Sequence, residues 1–195
     1  MISNILVFFG PPHSGKSSMA KLLVARKNFQ NIDLGQILRK IVSSYPSHPR
    51  FEEVKHALTT GTLITDEATV EIVEDVCKSV DQDGIIFDGF PRSISAIKPF
   101  KIFLSRMGIS SQLIILCQFT IDRCEAEYLI KCRGRKDDLD HDIYHNRISN
   151  FYHKTEPTLT ELKKSYIHVV LPFSNGIENN YSKIVEVIDE RNKII

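Results

Sequence analysis

A strand, a glycine-containing loop and a helix are predicted one after another at the start of the chain. Residues Gly10 to Ser17 fit the pattern G-x-x-x-x-G-K-[ST], in which backbone N–H groups hold nucleotide phosphates and the lysine reaches the outer ones. The apolar run Asn4 to Phe9 predicts a buried strand before the loop, and Ser17 to Arg26 predicts a helix after it. Phosphates bind well at a helix N-terminus, so this order predicts an ATP site. Its predicted residues are Gly10, Pro11, Pro12, His13, Ser14, Gly15, Lys16, Ser17 and Ser18.

Short apolar runs alternate with helical patterns along the rest of the chain. Each of three further runs predicts a strand that is buried on both faces. They are Ile85 to Phe87, Leu113 to Cys117 and Tyr166 to Leu171. Two helices are predicted from apolar faces, one at Val70, Val73, Cys77 and Val80 after a Thr65 cap, the other at Tyr181, Ile184, Val185 and Ile188. This alternation predicts an α/β fold with a doubly wound parallel sheet, whose ligands bind outside the carboxyl ends of the strands.

Length and charge exclude several classes of protein. The 195 residues fit one domain. Twenty-five Lys and Arg balance 24 Asp and Glu, which argues against a surface for nucleic acid. No run approaches the roughly 20 apolar residues of a membrane span. The four cysteines show no C-x-x-C pairing, so we expect a reduced, cytoplasmic protein.

Two charged segments suggest phosphate chemistry. Asp88 to Arg92 follows a predicted strand, where the carboxylate of Asp88 can hold Mg²⁺ directly or through water and Arg92 can bind a phosphate. The alternative is an ordinary strand-to-helix turn. Arg133, Arg135 and Arg147 form a second group, which is either a solvated face or a set of cations that stabilise phosphoryl transfer.

Four blocks in order resemble the adenylate kinase group of nucleoside monophosphate kinases. They are the loop at Gly10 to Ser17, Leu34 to Arg39, Asp88 to Arg92, and Arg135 to Asp138 followed by Arg147 and Thr155 to Pro157. The resemblance implies a five-stranded parallel P-loop kinase core at 1–32, 65–130 and 144–195. It also implies a helical lobe at 33–64 that binds the nucleoside monophosphate (NMP), and a short lid at 131–143. The implied reaction transfers the γ-phosphoryl group of ATP·Mg²⁺ to an NMP, in a cytoplasmic monomer.

The same resemblance implies roles for individual residues. Lys16, Arg92, Arg135 and Arg147 would be catalytic, Arg133 would bind ATP, and Ser17 with Asp88 would hold Mg²⁺. The implied NMP site consists of Leu34, Gly35, Arg39, Thr62, Leu63, Ile64, Gly89, Arg92, Ala96, Arg135 and Arg147.

Several positions depart from the family pattern. Family members that use AMP usually have Thr or Ser at Leu34, Asp at Gln36 and an adenine-reading Gln at Ala96, and His13 stands where glycine is usual. An alanine cannot hydrogen-bond a base. AMP is the first expected acceptor, and UMP, CMP or a deoxynucleotide the second. A nucleotide-binding regulatory protein with weak catalysis is the alternative from another class.

Overall fold

A five-stranded parallel sheet organises the chain. We analysed a computed structural model that describes residues 2–78, 80–122, 124–126, 128–129 and 140–194. The strands are β1 (Asn4–Phe9), β2 (Phe29–Asp33), β3 (Gly84–Asp88), β4 (Ile114–Thr120) and β5 (Ile167–Pro172). Their order across the sheet is β2-β3-β1-β4-β5, and every neighbouring pair is parallel. The predicted α/β class with a five-stranded parallel sheet is confirmed.

Helices connect the strands and cover the sheet. They are α1 (Lys16–Lys27), α2 (Leu34–Ser44), α3 (Phe51–Thr60), α4 (Asp66–Cys77), α5 (Ile97–Arg106), α6 (His141–Asn150), α7 (Glu156–Leu162) and α8 (Ile177–Asn192). A π-helical turn at Phe151–Thr155 joins α6 to α7. Short 3-10 turns stand at Ser111–Leu113 and Phe173–Asn175.

Alternate side chains of the central strand β1 pack into two separate hydrophobic cores. Ile5, Val7 and Phe9 of β1 pack into one hydrophobic cluster, and Leu6 and Phe8 pack into another. Because successive side chains of a strand point to opposite faces, an uninterrupted apolar run is what a strand covered on both sides requires. The prediction for Asn4 to Phe9 is therefore confirmed.

The two edge strands are where the sequence-based prediction was incomplete or wrong. The local pattern of Phe29–Asp33, which reads Phe-Gln-Asn-Ile-Asp, did not predict β2 because only Phe29 and Ile32 are buried. The prediction that the run Tyr166 to Leu171 is buried on both faces was wrong: β5 is the opposite edge, with Ile167 and Val170 exposed. An edge strand has one unpaired side, so its outer residues need no cover.

The fold brings two loops side by side at one end of the sheet. Strands β1 and β3 are neighbours, with Phe8 in register with Asp88. The loop after β1 and the loop after β3 therefore leave the same edge, which is where ligands bind in parallel α/β sheets. Within the described residues, no helix has the length and apolar character that crossing a membrane requires.

Candidate active site

The phosphate-loop pattern adopts the strand, loop and helix arrangement that it predicts. β1 ends at Phe9 and α1 begins at Lys16, with Gly15 as its N-cap at φ 92°. A Cβ atom on Gly10 would lie 2.6 Å from the Oγ of Ser14 and 2.7 Å from the carbonyl oxygen of Phe119, so the loop needs glycine there for close packing. Residues Gly15 to Ser18 at the start of α1 line the cavity beside the loop, and the N-terminus of a helix favours bound anions.

The lysine of the loop lies across the loop itself. The Nζ of Lys16 donates to the carbonyl oxygens of Gly10 at 2.7 Å and Pro11 at 2.8 Å, and to the Oγ of Ser14 at 3.4 Å. These contacts keep the ammonium group at the mouth of the loop. A phosphate held by the N–H groups of α1 would find the positive charge already in place.

His13 adopts the backbone conformation that its glycine-like position demands. Its φ is 67°, in the left-handed region, which His tolerates better than β-branched residues do. Its ring centroid lies 6.3 Å from that of Tyr144 in α6.

Arg92 returns over the carboxyl end of β3. Asp88 is the last residue of that strand and is 6% exposed, and Gly89 follows at φ 96°. A Cβ atom on Gly89 would collide with the guanidinium of Arg92. Glycine is therefore needed at position 89 both for the turn and to leave room for the arginine.

Three arginines from distant parts of the chain converge. The pKa of Arg92 is lowered, mainly because its guanidinium is removed from water. The carboxylates of Asp88 and Asp33 oppose this shift, whereas the positive charges of Arg147 and Arg39 add to it. Each of these four charged groups therefore lies near Arg92, and all five residues line the same cavity. The site thus concentrates positive charge, partly balanced by two carboxylates, where a phosphate dianion could be held.

Gly35 lies beside Arg39 and Asp33 at the start of α2. A Cβ atom there would lie 3.5 Å from both terminal nitrogens of Arg39 and 3.3 Å from the Oδ1 of Asp33. Asp33 caps the helix, with its Oδ1 accepting from the N–H of Gln36 at 3.0 Å. The side-chain amide of Gln36 also donates to the Oδ2 of Asp33 at 2.8 Å. Gln36, one of the positions that depart from the family pattern, therefore stabilises the start of the helix.

The phosphate loop and the three arginines line one cavity. Its volume of about 590 Å³ is typical of a small-molecule binding site. Most predicted site residues line it: Gly10, Pro12, His13, Ser14, Gly15, Lys16, Ser17, Ser18, Gly35, Arg39, Thr62, Leu63, Asp88, Gly89, Arg92 and Arg147.

Four predicted residues do not line this cavity. Leu34, Ile64 and Ala96 are buried in the hydrophobic cluster on one face of the sheet, and Ala96 is 1% exposed. Pro11 is buried behind the loop, where its carbonyl accepts from Lys16. Arg133 and Arg135 lie outside the described residues.

The cavity also contains residues that the sequence patterns did not identify. Among them are Lys21, Asp33, Leu38, Ala57, Leu58, Asn150, Phe151 and Phe173. Phe173 follows the carboxyl end of β5, and its ring would lie 3.6 Å from a Cβ atom on Gly15. The rule that ligands bind beyond strand ends could have identified it. No local signal marks Asn150, whose contacts are with residues far away in sequence.

The oxygen donors present suit a magnesium ion that is bound mainly by phosphate. Ser17 and Asp88 both line the cavity. In the described part of the chain, no group of three or more His, Cys, Asp or Glu residues could hold a metal ion. Mg²⁺ beside nucleotides typically uses one or two protein oxygens with phosphates and water, so this donor set fits.

Comparison with known proteins gives consistent similarities. The family model described as adenylate kinase matches residues 8–167. An adenylate kinase of Borrelia turicatae is 28% identical over 210 residues, covering 95% of this chain and 99% of the relative. One from Synechococcus sp. is 24% identical and covers 96% and 100% of the two chains. One from Mycolicibacterium smegmatis is 32% identical over 155 residues, covering 79% and 83%.

Proposed function

This chain belongs to the adenylate kinase family, and we propose that it transfers the γ-phosphoryl group of ATP·Mg²⁺ to a nucleoside monophosphate, with AMP as the first acceptor. The reaction would be ATP + AMP = 2 ADP. The family supports a phosphotransferase acting on nucleoside monophosphates.

The observation that supports the proposal is one cavity lined by two groups of positive charge. Lys16 at the N-terminus of α1 forms one group, and Arg39, Arg92 and Arg147 form the other. A protein that only binds one nucleotide has no need for the second group of cations. Two phosphate-bearing substrates explain both groups.

The chemistry assigned to these residues is positioning and charge stabilisation. An oxygen of the acceptor's α-phosphate attacks the γ-phosphorus of ATP, and the bond from that phosphorus to the β,γ-bridging oxygen breaks, which releases ADP. Arg39 and Arg92 would orient the attacking phosphate. Lys16 would stabilise the charge on the β- and γ-phosphates, and Arg147 the charge on the transferred group. Arg135 and Arg133 would assist as the family resemblance implies.

Magnesium would supply further positive charge, which offsets the negative charge of the nucleotide phosphates. Asp88 and Ser17 would hold it, Asp88 directly or through water. Asp88 would then have two roles, since its carboxylate also interacts electrostatically with Arg92.

A pyrimidine or deoxynucleotide acceptor is the second candidate, and one observation favours it. Ala96 is buried and outside the cavity lining, so it contributes no polar atom for reading adenine. Hydrogen-bond readout is what gives strong discrimination between bases. The rest of the acceptor side includes the apolar residues Leu38, Ala57, Leu58 and Leu63.

The test is a coupled assay for ADP with ATP·Mg²⁺ and each of AMP, GMP, CMP, UMP, dAMP and dTMP. Acceptor-dependent turnover supports the kinase, and the preferred base identifies its substrate. ADP that forms equally without acceptor would indicate an ATPase. Nucleotide binding without turnover would favour the regulatory alternative. The proposed cytoplasmic monomer is tested separately, by cell fractionation and by sedimentation.

A further inference from the structure

Helix α6 packs directly on the end of α3, through a position that only glycine fits. Gly61 is the C-cap of α3 and has φ 69°. A Cβ atom there would lie 2.5 Å from the carbonyl oxygen of Ile143 and 3.1 Å from the Cβ of Asn146. The end of α3 therefore packs against α6 too closely for any side chain at position 61.

Two side-chain amides of α6 bind the carbonyl groups at this end. The Nδ2 of Asn146 donates to the carbonyl oxygen of Thr60 at 2.9 Å, and the Nδ2 of Asn150 donates to that of Gly61 at 3.0 Å. The last carbonyls of a helix have no partner within it. Asn146 and Asn150 supply those partners from more than 80 positions away in sequence. We call this pair the amide clamp.

The clamp lies between two parts of the active site. Thr62 and Leu63, directly after Gly61, line the cavity, and so do Arg147 and Asn150 of α6. Arg147 stands between the two clamp residues in sequence. The position of the loop at 61–63 is therefore fixed relative to the helix that carries Arg147.

The segment that follows α6 contacts the backbone of Arg92, a second arginine of the cavity. The π-helical turn Phe151–Thr155 keeps Phe151 and Thr155 at the cavity. The Oγ1 of Thr155 donates to the backbone carbonyl oxygen of Arg92 at 3.2 Å. One continuous helical segment thus contacts the loop at 61–63, bears Arg147 and supports the backbone of Arg92.

We propose that Asn146 and Asn150 are positioning residues, which set the loop at 61–63 in register with Arg147 and Arg92 for the acceptor nucleotide. This inference rests on the proposed kinase function. Among the described contacts, the clamp binds Thr60 and Gly61 and not Lys16 or the phosphate loop, so we expect its loss to affect the NMP more than ATP.

The test compares two replacements of Asn150 that have different hydrogen-bonding ability. N150L is close in shape to asparagine and cannot donate, whereas N150Q keeps the amide. We expect N150L to raise the KM of the preferred NMP about three- to tenfold, the scale of one hydrogen bond, with a much smaller change in the KM of ATP. N150Q should lie closer to wild type. S149A, at an exposed neighbouring position of α6, is the matched control.

Thermal unfolding of each variant accompanies the kinetics. N146A provides the same readout if N150L does not fold, because Asn146 is exposed and its loss leaves no cavity. The proposal is overturned if N150L matches wild type, if N150Q is as impaired as N150L, or if the KM values of ATP and NMP rise together. Failure of the kinase function is seen differently: wild type and S149A would then show no NMP-dependent turnover at all.

Discussion

The Nζ of Lys16 lies 2.7 Å from the carbonyl oxygen of Gly10, so the ammonium group is bound to the loop that precedes its own helix. Its further contacts with Pro11 and Ser14 hold the lysine at this loop. Preorganised charge of this kind stabilises a transition state at little reorganisation cost.

Replacing this lysine should remove most of the activity. We expect Lys16→Ala to lower kcat/KM by on the order of 10²-fold or more, the scale of losing one preorganised charge stabiliser. Lys27→Ala, at the exposed end of the same helix, is the control and should behave as wild type. Steady-state kinetics measure both. Near-normal turnover in the Lys16 variant would exclude its proposed role.

Arg92 should matter on the acceptor side. Its guanidinium lies over Gly89 and is influenced by Asp88, Arg147 and Arg39. We expect Arg92→Ala to lower kcat/KM for the NMP by on the order of 10²-fold or more, since the variant would lose a half-buried cation that we propose binds the acceptor's phosphate. Arg106→Ala, which removes only an exposed ion pair with Glu74, is the matched control. Equal activity of the two variants would contradict the assignment.

These residues show why the sequence predicts the centre of this fold better than its edges. Two segments could be predicted from local sequence alone. Residues 4–9 are an uninterrupted apolar run, and Asp88 to Arg92 combine turn residues with a carboxylate and an arginine. β2 was missed because Gln30, Asn31 and Asp33 are only partly buried, and half-buried edge residues give no clear period. Asn150 could not be predicted because its partner Gly61 is 89 positions away.

Replacing His13 should show how much the left-handed conformation at this position lowers the stability of the protein. A left-handed φ costs a non-glycine residue roughly 1–2 kcal/mol. We expect His13→Gly to raise the thermal midpoint by about 2–5 °C and to keep kcat/KM close to wild type. His13→Val should lower the midpoint, because β-branched residues fit φ 67° poorly.

The opposite pattern would assign His13 a role of its own. A large fall in kcat/KM for His13→Gly, with the midpoint raised, would show that the ring acts on a phosphate. Differential scanning calorimetry and steady-state kinetics separate the two effects.

The buried cysteines provide a test of the two cores. Burial raises the pKa of the Cys77 thiol to about 12 and raises that of Cys117, whereas Cys124 is exposed. Because the thiolate is the reactive form, iodoacetamide at pH 8 should modify Cys77 and Cys117 at least about 100-fold more slowly than Cys124. Peptide mass spectrometry measures each rate.

Unfolded protein is the control for this labelling. In concentrated guanidinium chloride, Cys77, Cys117 and Cys124 should react at similar rates. If Cys117 in the native protein reacts as fast as Cys124, the position of β4 in the interior of the sheet, between β1 and β5, is wrong.

The most direct test of the phosphoryl-transfer account is the stoichiometry of the reaction with the preferred acceptor. We would incubate the protein with ATP·Mg²⁺ and AMP, and in separate reactions with each other monophosphate, and quantify every nucleotide by ion-exchange chromatography. The account predicts that each ATP consumed removes one AMP and forms two ADP, with no inorganic phosphate. ATP loss that releases phosphate while AMP and the other monophosphates remain unchanged would contradict it.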